Sequence, residues 1–303
     1  MIKVVYAEKQ VADSGSKTSP SASKPKYMAE ALKKHDVVSS IVEFVEPEAV
    51  TLDDIKRCHD AKFVDEVMTL KRPNGFGTIK QSVVDSLPYT NGAMYTAAKL
   101  AIKEKVPTAA LVSGFHHAGY NGFERFGYFC TFNGLMIAAT KLVEQDGFKR
   151  VAIIDCDMHY GNGTDDILLR MNEVWATIEL TGKPSEAKYL NMTFGAMFTN
   201  PTQAKDYLEY FDVVRDTLEE FKPDVILYQS GADVHVNDPF GGVLTEEEMF
   251  QRDKLMFTIA KDLNIPIAWD LAGGYQVEPN GSCDYVLKLH MNTFLACKEV
   301  YGL

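Results

Sequence analysis

Short, continuously apolar runs alternate along the chain with longer stretches in which apolar residues recur every three or four positions. The clearest runs, at 2–6, 108–112, 151–155, 225–229 and 265–269, predict strands. The periodic stretches at 91–105, 133–144, 203–220, 245–262 and 283–300 predict packed helices, and a shorter one is expected near 27–34. Breakers fall between a helix and the next strand: Asp146-Gly147, the approach to Pro223 and the approach to Pro266. Strands such as Val-Ala-Ile-Ile and Val-Ile-Leu-Tyr are apolar at consecutive positions, which requires both sheet faces to be covered. The expectation is an α/β fold with a central, mostly parallel sheet and helices on both faces. The Ser-, Lys- and Pro-rich segment 14–26 breaks the rhythm and reads as a solvated loop, or as a rim loop near a site.

Composition narrows this picture. A chain of 303 residues, 46% of them hydrophobic, can bury a large core, and no repeat or charge run divides it, so one domain over 1–303 is expected. The net charge of -11 argues against a broad nucleic-acid-binding surface and is compatible with cationic substrates. The five cysteines show no CxxC spacing, as expected for reduced thiols in a cytoplasm-like compartment. No stretch approaches the roughly 18 apolar residues of a membrane span.

The chemistry lies where polar residues come after the expected strands. His116-His117 come after 108–112, and Asp155, Asp157 and His159 end or succeed 151–155. Asp238 lies beyond 225–229, and Gly273-Gly274-Tyr275 lie beyond 265–269. In a parallel sheet these positions converge at the carboxyl ends of the strands, where ligands bind. Alternate residues of extended backbone project to one side, so Asp155, Asp157 and His159 point together. A carboxylate from Asp238 would complete three N/O ligands, the pattern of a catalytic zinc that keeps positions open for water and substrate. Adjacent histidines are weak evidence alone, but beside a metal they suit acid–base work. Tyr275 can donate to a developing oxyanion.

Together these stretches resemble the zinc-dependent histone deacetylase and acetylpolyamine amidohydrolase family. The motifs are Gly114-Phe-His-His-Ala118, Phe129-Cys-Thr-Phe-Asn133, Asp155-Cys-Asp-Met-His-Tyr-Gly-Asn-Gly-Thr164, Gly231-Ala-Asp233 with Asp238-Pro239, and Leu271-Ala-Gly-Gly-Tyr275. A weaker similarity, around His59–Val64, extends toward the N-terminus.

The resemblance implies an arginase/deacetylase-like fold, one zinc held by Asp157, His159 and Asp238, and His117 as base beside His116. It implies that Tyr275 polarises the carbonyl. Asp155 would orient His116 and contribute to a potassium site. Phe129 would line the substrate channel, with Tyr128 and Leu244 also contacting substrate. The second channel aromatic is Phe194 or Phe198, or is absent.

Asn162 stands where some members carry an aspartate, so His117 should favour its neutral form. Tyr128 replaces a usual glycine, 189–198 replaces a Pro-Gly-containing segment, and Glu179 stands near where a serine often completes the cation site.

The activity implied is hydrolysis of N-acyl amides, foremost acyl-lysine in proteins or peptides, in the cytoplasm or, in a eukaryote, the nucleus. The alternatives are a deacylase of acetylated polyamines and an inactive acyl-lysine-binding module. An arginase-type dimetal site would need further carboxylates that the motifs lack.

Overall fold

The computed structural model describes residues 1–16, 19–113, 115–123, 129–171 and 187–303. Its sheet strands are β1 (Ile2–Val5), β2 (Val42–Val45), β3 (Thr108–Ala110), β6 (Val151–Asp155), β7 (Tyr189–Thr193), β8 (Val225–Gln229) and β9 (Ile267–Trp269). They pair in the order β2-β1-β3-β9-β8-β6-β7, and all six pairings are parallel. β4 (Ala118–Gly119) and β5 (Gly122–Phe123) form a separate antiparallel hairpin.

Strand alternation explains the two cores. Val225 and Leu227 of β8 enter one cluster, while Ile226 and Tyr228 enter the other. The first face is covered by α2 (Leu52–Lys56), α3 (Ala61–Met68), α4 (Gln81–Glu104), α5 (Gly134–Glu144) and α6 (Asn162–Arg170). The second is covered by α1 (Lys24–Lys34), α7 (Ala204–Glu209), α8 (Phe211–Phe221), α9 (Glu246–Asp262) and α10 (Asp284–Tyr301). The α/β architecture read from periodicity is therefore the observed one. Among the described residues no helix is long and apolar enough to cross a membrane.

Several boundaries differ from expectation. The strands β2 and β7 at the sheet edges were not anticipated; β2 carries Glu43 and β7 carries Asn191, which interrupt the apolar signal. Helix α4 begins at Gln81 and runs through Pro88, because Val83, Val84 and Leu87 bury its first turns. The expected helix 203–220 divides at Tyr210 into α7 and α8. The segment 14–26 is not simply a solvated loop: Lys24 and Pro25 begin α1, and Ser14, Ser19, Ser21 and Lys24 are buried.

Four neighbouring strands, β3, β9, β8 and β6, deliver the functional segments from their carboxyl ends. One helix behind them, α9, carries a full capping box. At the start of α9, Thr245 Oγ1 accepts from Glu248 N at 3.3 Å, and Glu248 Oε2 accepts from Thr245 N at 2.8 Å. Thr245→Ala should cost about 1 kcal/mol and lower the unfolding midpoint by roughly 2 °C in a thermal melt. An unchanged midpoint would show that this cap contributes nothing to the folded chain.

Candidate metal centre and catalytic site

Asp155 closes β6, and its carboxylate ties together the turn into Asp157 and three neighbouring segments. Asp155 Oδ1 accepts from Asp157 N and from Gln229 Nε2, both at 3.1 Å. Its Oδ2 accepts from His116 Nδ1 at 2.6 Å and from Thr193 Oγ1 at 3.2 Å. Asp155 thus lies where it can orient His116. Four protein donors meet its oxygens, and the expected potassium finds no support in this arrangement.

Asp157, His159 and Asp233 bring one ligand atom each to within 4.8 Å of one another. His159 Nδ1 lies 3.2 Å from Asp157 Oδ1 and 3.0 Å from Asp233 Oδ2. Backbone donors fix both carboxylates: His159 N bonds Asp157 Oδ1 at 2.9 Å, and Met158 N bonds Asp233 Oδ1 at 3.1 Å.

This cluster differs from the expected one, because its second carboxylate is Asp233 where the sequence pointed to Asp238. The available signal for Asp233 was its position, four residues beyond the end of β8. Asp238 stands alongside rather than within the cluster. Its Oδ1 accepts from Phe240 N at 2.9 Å, and its Oδ2 accepts from Tyr275 N at 2.8 Å. Burial raises its carboxyl, and the charges of Asp157 and His159 both act on it.

The two loop carboxylates sit at different depths. Asp233 is wholly buried, and its carboxyl is roofed by glycine backbone: a Cβ at Gly273, where φ is +58°, would lie 2.4 Å from Asp233 Cγ. Asp238 keeps 7% of its surface exposed. Each Asp238 oxygen receives one backbone donor, which leaves each a lone pair for a cation.

The donor chemistry fits a metal. Burial and the neighbouring Asp157 push the Asp233 carboxyl up to about 7. Burial opposes charge on His159, yet hydrogen bonds to Asp157 and Asp233 raise it to about 11, so a proton stands where a cation would neutralise these groups. Carboxylates with one imidazole and no thiolate make an N/O set suited to catalytic zinc and equally open to other divalent ions.

The histidine pair divides its charge. Burial disfavours an imidazolium at His116, but the charges of Asp155 and Asp157 outweigh it and hold the ring up at about 9. His116 Nε2 is 3.5 Å from Asp157 Oδ1. His117 Nδ1 donates to Asn162 Oδ1 at 2.8 Å. Burial, with the charge of His116 second, depresses His117 to about 3. His117 is thus neutral, as Asn162 suggested, with burial as the larger cause.

Tyr275 is half-buried, with its ring centroid 6.3 Å from His159 and 5.6 Å from Phe129. Lys24, missed by sequence reasoning, is wholly buried beneath the Tyr275 loop; its Nζ donates to Gly273 O and lies 3.3 Å from His290 Nε2. Burial lowers its ammonium to about 8.

The expected channel walls are only partly present. Phe129 is half-buried beside Tyr275. Phe194 and Phe198 are buried against Tyr207 and Tyr210 and form core, not channel. Leu244 is wholly buried, its backbone bridging His235, and offers no surface to a substrate. An exposed aromatic that the sequence pattern did not flag, Phe240, stands edge-on to Tyr275 at 5.2 Å. Tyr128, Glu179 and Gly114 lie outside the described residues.

The profile described as "Histone deacetylase domain" matches residues 19–289. The chain is 26% identical over 287 residues to the chloroplastic histone deacetylase 10 of Oryza sativa subsp. japonica, covering 83% of this chain and 64% of that protein. It is 28% identical over 275 residues to a probable deacetylase of Archaeoglobus fulgidus, covering 83% and 75% of the two chains. The chain thus spans just under two thirds of the rice protein. Among solved structures, the HDA15 HD domain superposes with a TM-score of 0.72 at 19% identity, covering 99% of this chain and 94% of that one. An acetylpolyamine aminohydrolase from Burkholderia pseudomallei gives 0.69 at 16%, covering 99% of each. At these identities the two structures establish the shared fold.

Proposed function

The chain belongs to the histone deacetylase domain family, and from that premise we propose that it is a zinc-dependent amidohydrolase that removes acyl groups, foremost acetyl, from lysine side chains. The observation that carries this reading is the convergence of Asp157, His159 and Asp233 beside the histidine pair and Tyr275.

Asp157, His159 and Asp233 would hold the zinc, with Asp238 alongside them on the Tyr275 loop. A catalytic metal needs coordination positions open to water and substrate, and three N/O ligands leave them. Asp238, whose oxygens accept from Phe240 N and Tyr275 N, would hold the Tyr275 backbone beside the metal. When bound, zinc supplies a Lewis acid that polarises the acyl carbonyl and acidifies water.

The protein's own groups divide the remaining work. With Nδ1–H committed to Asn162, His117 carries its lone pair on Nε2 and takes the water proton there. His116, held protonated by Asp155 and Asp157, places positive charge beside the reacting centre and can deliver a proton from Nε2 to the departing amine. The Tyr275 hydroxyl donates to the oxyanion as it develops, and burial keeps that hydroxyl protonated.

Phe129 and Phe240 flank the Tyr275 ring and would clasp the aliphatic stem of an acylated lysine. Exposed Tyr160, Phe240 and Val277, each on a segment that carries a site residue, suit a peptide lying across the surface. The catalytic unit proposed is the whole span 1–303.

Three measurements test this. In a chelator-competition titration, Asp233→Ala should abolish tight zinc binding, whereas Asp238→Asn should weaken it about 10- to 100-fold, as for a partner outside the ligand set. The reverse order would make Asp238 the ligand. Tyr275→Phe should fold and bind zinc but lose roughly 10²–10³-fold in kcat, the loss typical of one oxyanion donor; near-normal turnover would remove Tyr275 from the mechanism. In a panel of acetyl-lysine peptides, longer acyl-lysines and acetylated polyamines, the peptides should give the highest kcat/KM. A preference for polyamines would replace the substrate class, and inactivity of the zinc-loaded protein on every acyl amide would overturn the reading.

A further inference from the structure

A second charged network lies beneath the site, in the part of the core where charge is least expected. Arg252 and Asp253 at the middle of α9 are 0% and 1% exposed. Arg252 Nε donates to Asp253 Oδ1 at 2.9 Å, and Nη2 lies 2.8 Å from the same oxygen. Asp253 also accepts from Tyr228 of β8 and from Thr293 of α10, the latter at 2.6 Å. A buried ion pair costs desolvation that apolar side chains of similar volume would avoid, so stability alone does not account for it.

Its remaining arm indicates a use. Arg252 Nη1 donates to Gly231 O at 2.6 Å. Gly231 opens the loop that carries Asp233 and Asp238, and its backbone is pressed against the other carboxylate segment: a Cβ there would lie 2.4 Å from Asp157 Cα. The next residue is tied from the opposite side, Ala232 N donating to Ala272 O at 2.9 Å on the Tyr275 loop. Close by, Tyr207 OH donates to Cys156 O at 3.1 Å, between Asp155 and Asp157. The charge of Arg252 acts on both Tyr207 and Cys156. One guanidinium thus holds the Gly231 segment directly and lies beside Tyr207, which holds the Asp155–Asp157 segment.

We propose that Arg252 is a positioning residue for the metal centre, its Gly231 contact fixing the carboxylate loop against Asp157 and His159. The inference rests on the ligand set proposed above. Arginine suits the task because its rigid fork serves Asp253 and Gly231 together; a lysine ammonium on a flexible stem lacks that fixed geometry. Asp253 in turn fixes the guanidinium plane, and Tyr228 and Thr293 fix Asp253.

The test compares the full-length protein with Arg252→Lys, which keeps the charge beside Asp253, and with Arg252→Met. Leu218→Ala serves as a destabilised control, because Leu218 is fully buried in α8 away from the ligand segments. Zinc dissociation constants from chelator competition, visible spectra of the cobalt-substituted proteins and melting temperatures are measured on all four.

Both Arg252 variants should bind zinc about 10- to 100-fold more weakly, the usual cost of losing a partner behind the ligands. Their cobalt bands should change, while Leu218→Ala melts earlier with zinc affinity within about twofold of the parent. Unchanged affinity and spectra in a folded Arg252 variant would overturn the proposal. So would failure of both variants to fold, which would make Arg252 a folding residue. Asp233→Ala separates the two levels. If it too keeps full zinc affinity, the ligand assignment falls; if it alone loses zinc, only the role of Arg252 falls.

Discussion

Two buried carboxylates, Asp157 and Asp233, are held against one imidazole, and the site is organised around that confinement. Like charges taken out of water repel, and the protein relieves the repulsion by depressing Asp157, raising Asp233 and placing a proton on His159. A divalent cation held among these three groups would relieve it more completely. The surrounding features serve to keep this group rigid: the backbone donors to each carboxylate, the glycine at 273 and the buried charges beneath.

The same confinement gives the two adjacent histidines opposite characters. His116 faces Asp155 and Asp157 and stays charged; His117, kept neutral first by burial and then by the charge of its neighbour, faces neutral Asn162. Residues next to each other in sequence thus become an acid and a base through what each imidazole touches. Placement by the sheet makes this possible, because four neighbouring parallel strands release their segments at one edge.

Much of this was legible in the sequence. The central strands announce themselves as continuous apolar runs, and the polar residues just beyond them identify the rim. Edge strands β2, which is only partly buried, and β7, whose run is broken by Asn191, did not. At the site, the spacing of Asp155, Asp157 and His159 was readable because extended backbone has a fixed period. The approach of Asp233 to His159 was not, since Asp233 and Asp238 share one irregular loop whose turns, Asp238 N to His235 O at 2.9 Å among them, set the depth of each carboxylate. Likewise the sequence left the second channel aromatic open between Phe194, Phe198 and none; packing against Tyr207 and Tyr210 commits both to the core, and Phe240 stands beside Tyr275.

The central claim concerns where a metal sits, and the direct measurement is anomalous X-ray diffraction at the zinc edge from crystals of the zinc-loaded protein. The account predicts one strong peak per chain, about 2.0–2.2 Å from an oxygen of Asp157, a ring nitrogen of His159 and an oxygen of Asp233. A peak bonded to Asp238 in place of Asp233, or zinc at full occupancy elsewhere in the fold, would contradict it.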